Sequence, residues 1–195
     1  MTIAIVVDWC GPFWSVNDAK VAIRKYGVGE GLYLALGKKS YQRESASLQY
    51  IGISNDTKSR IHGKNHPFKP IVHDLSLWIG SVVSHAVAGR KNASQSVAHS
   101  ITVDRAEWAM AYFLALPLNV KKRAKPPPDS LILVNRWFQP DFETRRRHPG
   151  HPDWPDLIDY DKVENTASIV WFGTPGRREW LSSTAIAKLR RSLRA

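Results

Sequence analysis

The apolar residues of this chain fall mostly into short runs that have the length of β-strands. Residues 3–7 are aliphatic and rich in β-branched side chains, which predicts a buried strand, and the Gly11-Pro12 pair predicts the turn that closes it. Residues 32–36 and 48–53 predict two further strands. The polar stretch between these two strands predicts a β-hairpin with an exposed tip.

Helical patterns occur at fewer places. Residues 18–26 predict a short helix, and the strongest helical signal covers residues 102–116, where Thr102 or Asp104 can cap the start and Pro117 stops the end. Because apolar residues cover most of this second segment, we expect a largely buried helix. Weaker patterns predict a strand at residues 74–85, a short surface helix at 57–62, and a loop or weak helix at 88–99.

The last third of the chain begins with a stiff, basic connector. Residues 121–128 combine basic side chains with successive prolines. Strands are predicted at residues 131–134 and 168–172, and a basic helix at the C-terminus over residues 188–194. With 195 residues, 43% of them hydrophobic, the chain can bury one sizeable core, so we expect a single compact domain over residues 1–195.

Charge and cysteine content narrow the class of protein. The chain has 28 Lys and Arg against 17 Asp and Glu, a net charge of +11, which points to a polyanionic partner. Cys10 is the one cysteine and excludes a disulfide scaffold, which suits a reducing compartment. The apolar start is too short to span a membrane and lacks a basic flank, so we expect a cytoplasmic protein without a membrane partner.

Residues with catalytic potential follow one another in a defined order. They are Gly31-Leu32-Tyr33 on the first hairpin strand, Tyr50-Ile51-Gly52 on the second, Arg60 on the surface helix, Glu107 on the buried helix, and Asn119 after that helix. Any one of these elements would be weak evidence. Together, in this order and spacing over residues 29–119, they resemble the GIY-YIG nuclease superfamily.

The resemblance implies an α/β fold in which a small, mostly antiparallel sheet is flanked by helices. Residues 29–119 would be the catalytic core, and residues 120–195 a C-terminal extension packed on it that contacts DNA. At two positions the sequence departs from the family pattern. Leu32 replaces the family's Ile, and Lys64 stands where many members have a His one helical turn after the Arg. His62 is then a candidate for an active-site contact or a solvated side chain, and a role for His66 stays open.

Independent of the resemblance, strand alternation places Tyr33 on the same face as Gly31, and Tyr50 on the same face as Gly52, so pairing of the two strands would bring both phenols together. Phosphodiester hydrolysis needs a deprotonated water, compensation for charge growing on the phosphate, and help for the departing oxygen. A phenol titrates at about pH 10, so a tyrosine base needs positive charge nearby. Arg60, local lysines and a metal ion are candidates for that charge.

The family resemblance implies a role for each site residue. Tyr33 would be the general base and Tyr50 its hydrogen-bonded helper, although the two roles are interchangeable at this stage. Arg60 would grip the scissile phosphate, and Asn119 would hold the geometry of the site. Glu107 would bind Mg²⁺, for which Mn²⁺ can substitute, because an unpaired carboxylate in an apolar helix is otherwise costly. The alternatives are an ion pair of Glu107 with Arg105 or Arg60, and a helix-end cap by Asn119.

Basic and aromatic residues provide candidate contacts with double-stranded DNA. Arginine can bind phosphates or guanine edges, while aromatic rings can stack on bases. The basic candidates are Lys38, Lys39, Lys64, Arg145, Arg146, Arg147, Arg177 and Arg178. A solvated charge run is the alternative for each of them taken singly.

Three functions remain open from the sequence. The first is a Mg²⁺-dependent DNA endonuclease of the restriction type, and the second is a structure-selective repair or mobile-element nuclease with the same chemistry. The third is a basic nucleic-acid-binding protein whose nuclease module is inactive. The protein could act as a monomer or as a homodimer, since cutting both strands of a symmetric site asks for two active sites.

Overall fold

The computed structural model describes residues 2–54, 66–83, 93–173 and 176–186 of the chain. Its elements alternate between long strands in the first half and shorter strands in the second. In chain order they are β1 (Thr2–Phe13), α1 (Val16–Tyr26), β2 (Gly31–Lys39), β3 (Ser47–Ser54), β4 (Ile71–Val82), α2 (Ala93–Phe113), a 3-10 turn (Lys122–Ala124), β5 (Ser130–Phe138), β6 (Leu157–Asp161), β7 (Thr166–Trp171) and β8 (Arg177–Leu181).

All eight strands belong to one curled, mixed sheet with the order β3-β2-β4-β1-β5-β6-β7-β8. Neighbouring strands are antiparallel except β1 and β5, which pair in parallel from Thr2 opposite Ser130 to Cys10 opposite Phe138. The prediction of a small, mostly antiparallel sheet flanked by helices is therefore wrong. The residues expected to pack on a core as an extension instead continue its sheet by pairing with the free edge of β1.

The two faces of the sheet carry different helices. On one face Leu34 and Ile51 belong to the same buried cluster as Met110 of α2. On the other face Tyr33 shares a cluster with Ile23 of α1 and with Phe68 and Ile79. This separation follows from strand alternation, which sends successive side chains of β2 to opposite faces.

Four tryptophans fill the centre of the larger core. Trp9, Trp78 and Trp137 all contact Trp154 edge to face, at centroid distances between 4.7 and 5.6 Å. They come from β1, β4, β5 and the segment before β6, so the aromatic cluster joins the first half of the sheet to the second. The indole of Trp9 also donates to Oδ1 of Asn135 at 2.8 Å, which satisfies its buried N–H group.

Several local predictions differ from the observed elements. The turn expected at Gly11-Pro12 is wrong, because β1 continues to Phe13 through an irregularity in its pairing with β4. The buried helix begins at Ala93, well before residue 102. Strands β6 and β8 were not predicted, since both are short and rich in charge. The helices expected at residues 57–62 and 188–194 lie outside the described residues.

Cys10 lies in the core with 3% of its surface exposed. Burial, with smaller contributions from the negative charges of Asp8 and Asp141, raises the pKa of its thiol from 9.0 to about 12. Because the thiolate is the reactive form, we expect the folded protein to react with an aromatic disulfide reagent near neutral pH at least about a hundredfold more slowly than the unfolded chain. Stopped-flow absorbance with and without denaturant measures this ratio, and similar rates in both states would contradict it.

Candidate active site on the β2–β3 hairpin

The β2–β3 hairpin brings the two motif tyrosines together. Tyr33 lies opposite Gly52 and Ala35 lies opposite Tyr50, which puts both phenols on the same face of the sheet. Their ring centroids are 5.8 Å apart. Tyr33 is buried and Tyr50 is half-buried, so the pair extends from the interior of the molecule towards its surface.

Both motif glycines stand where a side chain would not fit. A Cβ atom on Gly52 would lie 2.5 Å from the Tyr33 hydroxyl and 2.9 Å from a ring carbon of Tyr50. A Cβ atom on Gly31 would lie 2.7 Å from the carbonyl oxygen of Gly80 on β4. Gly52 thus lets the phenol of Tyr33 lie across β3, and Gly31 lets β2 approach β4 closely.

His66 is the third member of the tyrosine cluster. Its Nε2 atom lies 3.1 Å from the Tyr33 hydroxyl, and its ring centroid lies 5.8 Å from that of Tyr50. The Nδ1 atom accepts a hydrogen bond from the backbone N–H of Phe68 at 3.4 Å. In the neutral imidazole the proton then resides on Nε2, so His66 donates to the oxygen of Tyr33.

Asn119 binds the backbone of the strand that carries Tyr50. Its Oδ1 atom accepts from the N–H group of Ile51 at 2.9 Å, and its Nδ2 atom donates to the carbonyl of Ile51 at 2.7 Å. Strand β3 is at the edge of the sheet, so this one side chain replaces a neighbouring strand at the residue between Tyr50 and Gly52. Asn119 follows α2, which ends at Phe113, and is therefore a strand clamp and not a helix-end cap.

Glu107 lies in a network of charges between α2 and the 3-10 turn. Its carboxylate accepts a hydrogen bond from Nζ of Lys122, which also contacts Oδ1 of Asp104 at 2.6 Å. Arg105, one expected partner of Glu107, instead pairs with Asp104 and Asp129. Helix α2 belongs to the buried cluster on the sheet face opposite to Tyr33. The structure therefore does not bring Glu107 to the tyrosines.

Glu107 is the predicted ligand of a divalent cation. Among the residues that the structure describes, no group of three or more His, Cys, Asp or Glu side chains could hold a metal ion. Mg²⁺ is commonly held by one or two carboxylates, with water and substrate phosphates completing its shell. Lys122 occupies the Glu107 carboxylate in this structure, so Glu107 offers one carboxylate to a cation only after Lys122 turns to Asp104 alone.

The remaining predicted catalytic and basic residues are distributed as follows. Arg60, His62 and Lys64 lie outside the described residues. Lys38 pairs with Asp74 at 3.2 Å, and Lys39 is half-buried at the end of β2. The predicted DNA contacts of Lys38 and Lys39 stay predictions.

The arginines of the second half are partly engaged within the protein. Arg146 stacks on Trp78 and donates to the carbonyl of Gly11 at 3.3 Å. Arg177 lies 3.9 Å above the ring of Trp171, and Arg178 donates to Ser168 at 2.9 Å. Arg145 and Arg147 are exposed. Arg177 and Arg178 are exposed as well, and Arg145 also lies over the ring of Phe138.

The β5–β6 loop reaches the hairpin that carries the tyrosines. Nε2 of His151 lies 2.9 Å from the carbonyl oxygen of Ala46, in the loop between β2 and β3. A Cβ atom on Gly150 would lie 2.4 Å from the ring of Trp78, so the loop backbone lies directly on the tryptophan cluster. The second half of the chain is thus in contact with the motif hairpin.

Comparison with known proteins adds no relative to this picture. No protein-family model matches the chain, and neither a curated protein nor a solved structure was found to match it. The resemblance to GIY-YIG nucleases therefore rests on the sequence motifs. Within the described ranges, no helix has the length and apolar character needed to cross a membrane.

Sequence reasoning did not identify two members of these sites. The sequence does not decide whether His62 or His66 takes part in the site. Only the fold shows that the ring of His66 reaches Tyr33. Lys122 was seen as part of a basic connector and not as the partner of Glu107. The signal available for His66 was its position shortly after Arg60, whereas nothing in the sequence links Lys122 to Glu107.

Proposed function

We propose that this protein is a Mg²⁺-dependent DNA endonuclease that hydrolyses phosphodiester bonds in the manner of GIY-YIG nucleases. The observation that carries the proposal is the cluster of Tyr33, Tyr50 and His66 on one face of the hairpin. The glycine that admits the Tyr33 phenol and the asparagine that binds the Tyr50 strand support it. The net charge of +11 favours a nucleic-acid substrate.

The hydrogen bonds of the cluster suggest how a tyrosine serves as the base. A donor on the phenol oxygen favours the deprotonated form, and His66 is oriented by Phe68 to be such a donor. Tyr33 then accepts a proton from the attacking water, with the half-buried Tyr50 positioning that water. Because Tyr33 is 1% exposed, its phenol has to become accessible before it can take a proton from that water.

The charged residues complete the proposed reaction. Arg60 would bind the scissile phosphate through its planar guanidinium group. By the sequence resemblance Glu107 would hold Mg²⁺, which supplies compensation for charge on the phosphate when it is bound. For this, Lys122 has to release the Glu107 carboxylate while Asp104 retains the ammonium group. Because α2 packs on the sheet face opposite to Tyr33, the assignment of Glu107 rests on the sequence pattern and not on the geometry. Asn119 keeps the Tyr50 strand in place throughout.

Plasmid cleavage tests this function and the part of Glu107. Wild-type protein is expected to convert supercoiled plasmid to nicked or linear DNA with Mg²⁺ and not with EDTA. Glu107→Gln removes the charge that binds the cation and should lower the rate about a hundredfold or more. Glu164→Gln, at an exposed position in the β6–β7 turn, is the matched control and should leave the rate unchanged.

Two results would contradict parts of this proposal, the first the nuclease function and the second the role of Glu107. One is failure to cut with either Mg²⁺ or Mn²⁺ while salt-sensitive DNA binding persists, which would favour an inactive binding protein. The other is equal cleavage by the wild type and Glu107→Gln, which would remove Glu107 from the site. Mapped cut positions that share a sequence would favour the restriction type, and cuts at branched or damaged structures the repair type.

A separate prediction concerns His66. His66→Ala removes the donor on the Tyr33 oxygen, and we expect cleavage to fall about a hundredfold. His73→Ala, an exposed histidine on β4, is the matched control. Because a lost donor should leave Tyr33 harder to deprotonate, the residual activity should rise more steeply at high pH than that of the wild type. An unchanged pH profile would mean that His66 has only a packing role.

A further inference from the structure

A pocket of about 430 Å³ lies at the tip of the β2–β3 hairpin, beyond the tyrosine cluster. Its walls combine one lysine, one glutamate, hydroxyl and amide groups, and an aromatic ring. They include Lys39, Tyr41, Gln42, Glu44, Ser47 and Gln49. The proposed reaction uses none of these side chains, although Gln49 immediately precedes Tyr50.

Gln49 has an unusual position in the hairpin. It is the extra residue of a β-bulge, because Ala35 pairs with Tyr50 and Leu36 with Leu48. Its side chain is turned into the protein, where Nε2 donates to the carbonyl of Gly37 at 3.0 Å and contacts Oγ of Ser47 at 2.8 Å. Since the carbonyl of Gly37 can only accept, it fixes which end of the amide carries the nitrogen.

The oxygen of the same amide has no hydrogen-bond partner among the described residues. Gln49 is 1% exposed, and within the described part of the chain its Oε1 atom is buried without a hydrogen bond. A buried carbonyl that lacks a donor is costly, so such an atom calls for an explanation. A ligand with an N–H group would supply the donor. Oε1 is closed to solvent, so the ligand has to shift a side chain of the pocket wall to reach it.

Tyr41 supplies an aromatic surface beside this amide. It is 99% exposed and has a φ of 67°, a left-handed conformation that tyrosine rarely adopts. The face of its ring is therefore open to a planar partner. Lys39, which lines the same pocket, places a positive charge next to the ring.

We propose that this hairpin-tip pocket binds a nucleobase that carries an exocyclic amine. The base stacks on Tyr41, its amine donates to Oε1 of Gln49, and Lys39 binds the adjoining phosphate. Adenine, cytosine and guanine have such an amine and thymine does not. The inference rests on the proposed function, because it takes the ligand to be DNA, and it makes Tyr41 and Gln49 specificity-determining residues of the same enzyme.

The decisive test changes the ligand and leaves the protein intact. Full-length Tyr33→Phe protein in EDTA is titrated into fluorescein-labelled oligodeoxyadenosine and into the same strand built from 2′-deoxynebularine, which lacks the amine. Fluorescence anisotropy should show about tenfold weaker binding of the nebularine strand. Equal affinities would overturn the proposal. A duplex that carries one unpaired adenosine or nebularine extends the comparison to a base turned out of a helix. The adenosine duplex should likewise bind more tightly, and equal affinities for the two duplexes would limit the pocket to single strands.

Two protein variants locate the preference. Tyr41→Ala should weaken binding of both strands about tenfold, whereas Trp14→Ala, which removes another exposed ring, should not. Gln49→Met should abolish the difference between adenosine and nebularine. If Gln49→Met fails to fold, the comparison of the adenosine and nebularine strands with the Tyr33→Phe protein still tests the proposal. Equal binding of the two strands by protein with Gln49 intact, together with normal plasmid cleavage by the wild type, refutes the pocket alone. An amine preference in a protein that never cuts DNA refutes the nuclease alone.

Discussion

Tyr33→Phe is expected to lower DNA cleavage by about 10²–10⁴-fold, the usual contribution of a general base. The substitution removes a single oxygen, the one that lies 3.1 Å from Nε2 of His66, and keeps the ring that fills the space beside Gly52. The fold should therefore persist, with a loss of about 1 kcal/mol for one buried hydrogen bond. Initial rates of plasmid nicking and chemical denaturation measure the two effects.

The control for this variant is Tyr26→Phe. Tyr26 is a half-buried tyrosine on α1 whose ring packs on Phe142 at a centroid distance of 4.8 Å. The same atom is removed there, outside the tyrosine cluster, and cleavage should be unchanged. If both variants lost activity equally, the effect would be one of stability. If neither did, Tyr33 would not be the base, and Tyr50→Phe would test the exchanged roles.

Gly52→Ala is expected to reduce both activity and stability. The added methyl group would lie 2.5 Å from the Tyr33 hydroxyl, closer than van der Waals contact allows, so the phenol or the strand has to shift. We expect a loss of about 1–3 kcal/mol in the free energy of unfolding, the usual cost of overpacking. Displacing the phenol oxygen by about 1 Å should cost about a hundredfold in rate.

Gly29→Ala separates this steric effect from the general cost of replacing a glycine. A Cβ atom on Gly29 would have no heavy atom within 4 Å. Its cleavage rate and denaturation midpoint should stay close to those of the wild type. Full activity in Gly52→Ala would show that the Tyr33 phenol has no fixed place in catalysis, whatever its position in the fold.

The large sheet changes how the second half of the chain is understood. Strands β5 to β8 extend the sheet that carries the tyrosines, and the loop before β6 contacts both the tryptophan cluster and the hairpin. Arg146 and Arg177 stack on Trp78 and Trp171, so part of the basic charge has a structural role. The proposed DNA contact surface in this region would therefore be smaller than the number of arginines suggests.

The sequence alone determined the local geometry of the candidate site. Alternation on β2 and β3 put Tyr33 and Tyr50 on one face because side chains change face at every residue, and the short polar loop made the two strands neighbours. Glycine at position 52 signalled a close approach, which the phenol of Tyr33 makes. These features depend on residues close together in the chain, where pattern and distance are linked.

Only the tertiary structure decided the rest. The parallel pairing of β1 with β5 joins residues that are far apart in sequence, and a run of apolar residues does not state which distant strand it will pair with. The bond between His66 and Tyr33, the ion pair between Lys122 and Glu107, and the grip of Asn119 on Ile51 likewise depend on where separate segments pack. The physical reason is that strand patterns specify which face is buried, while pairing partners are selected by the packing of the whole sheet.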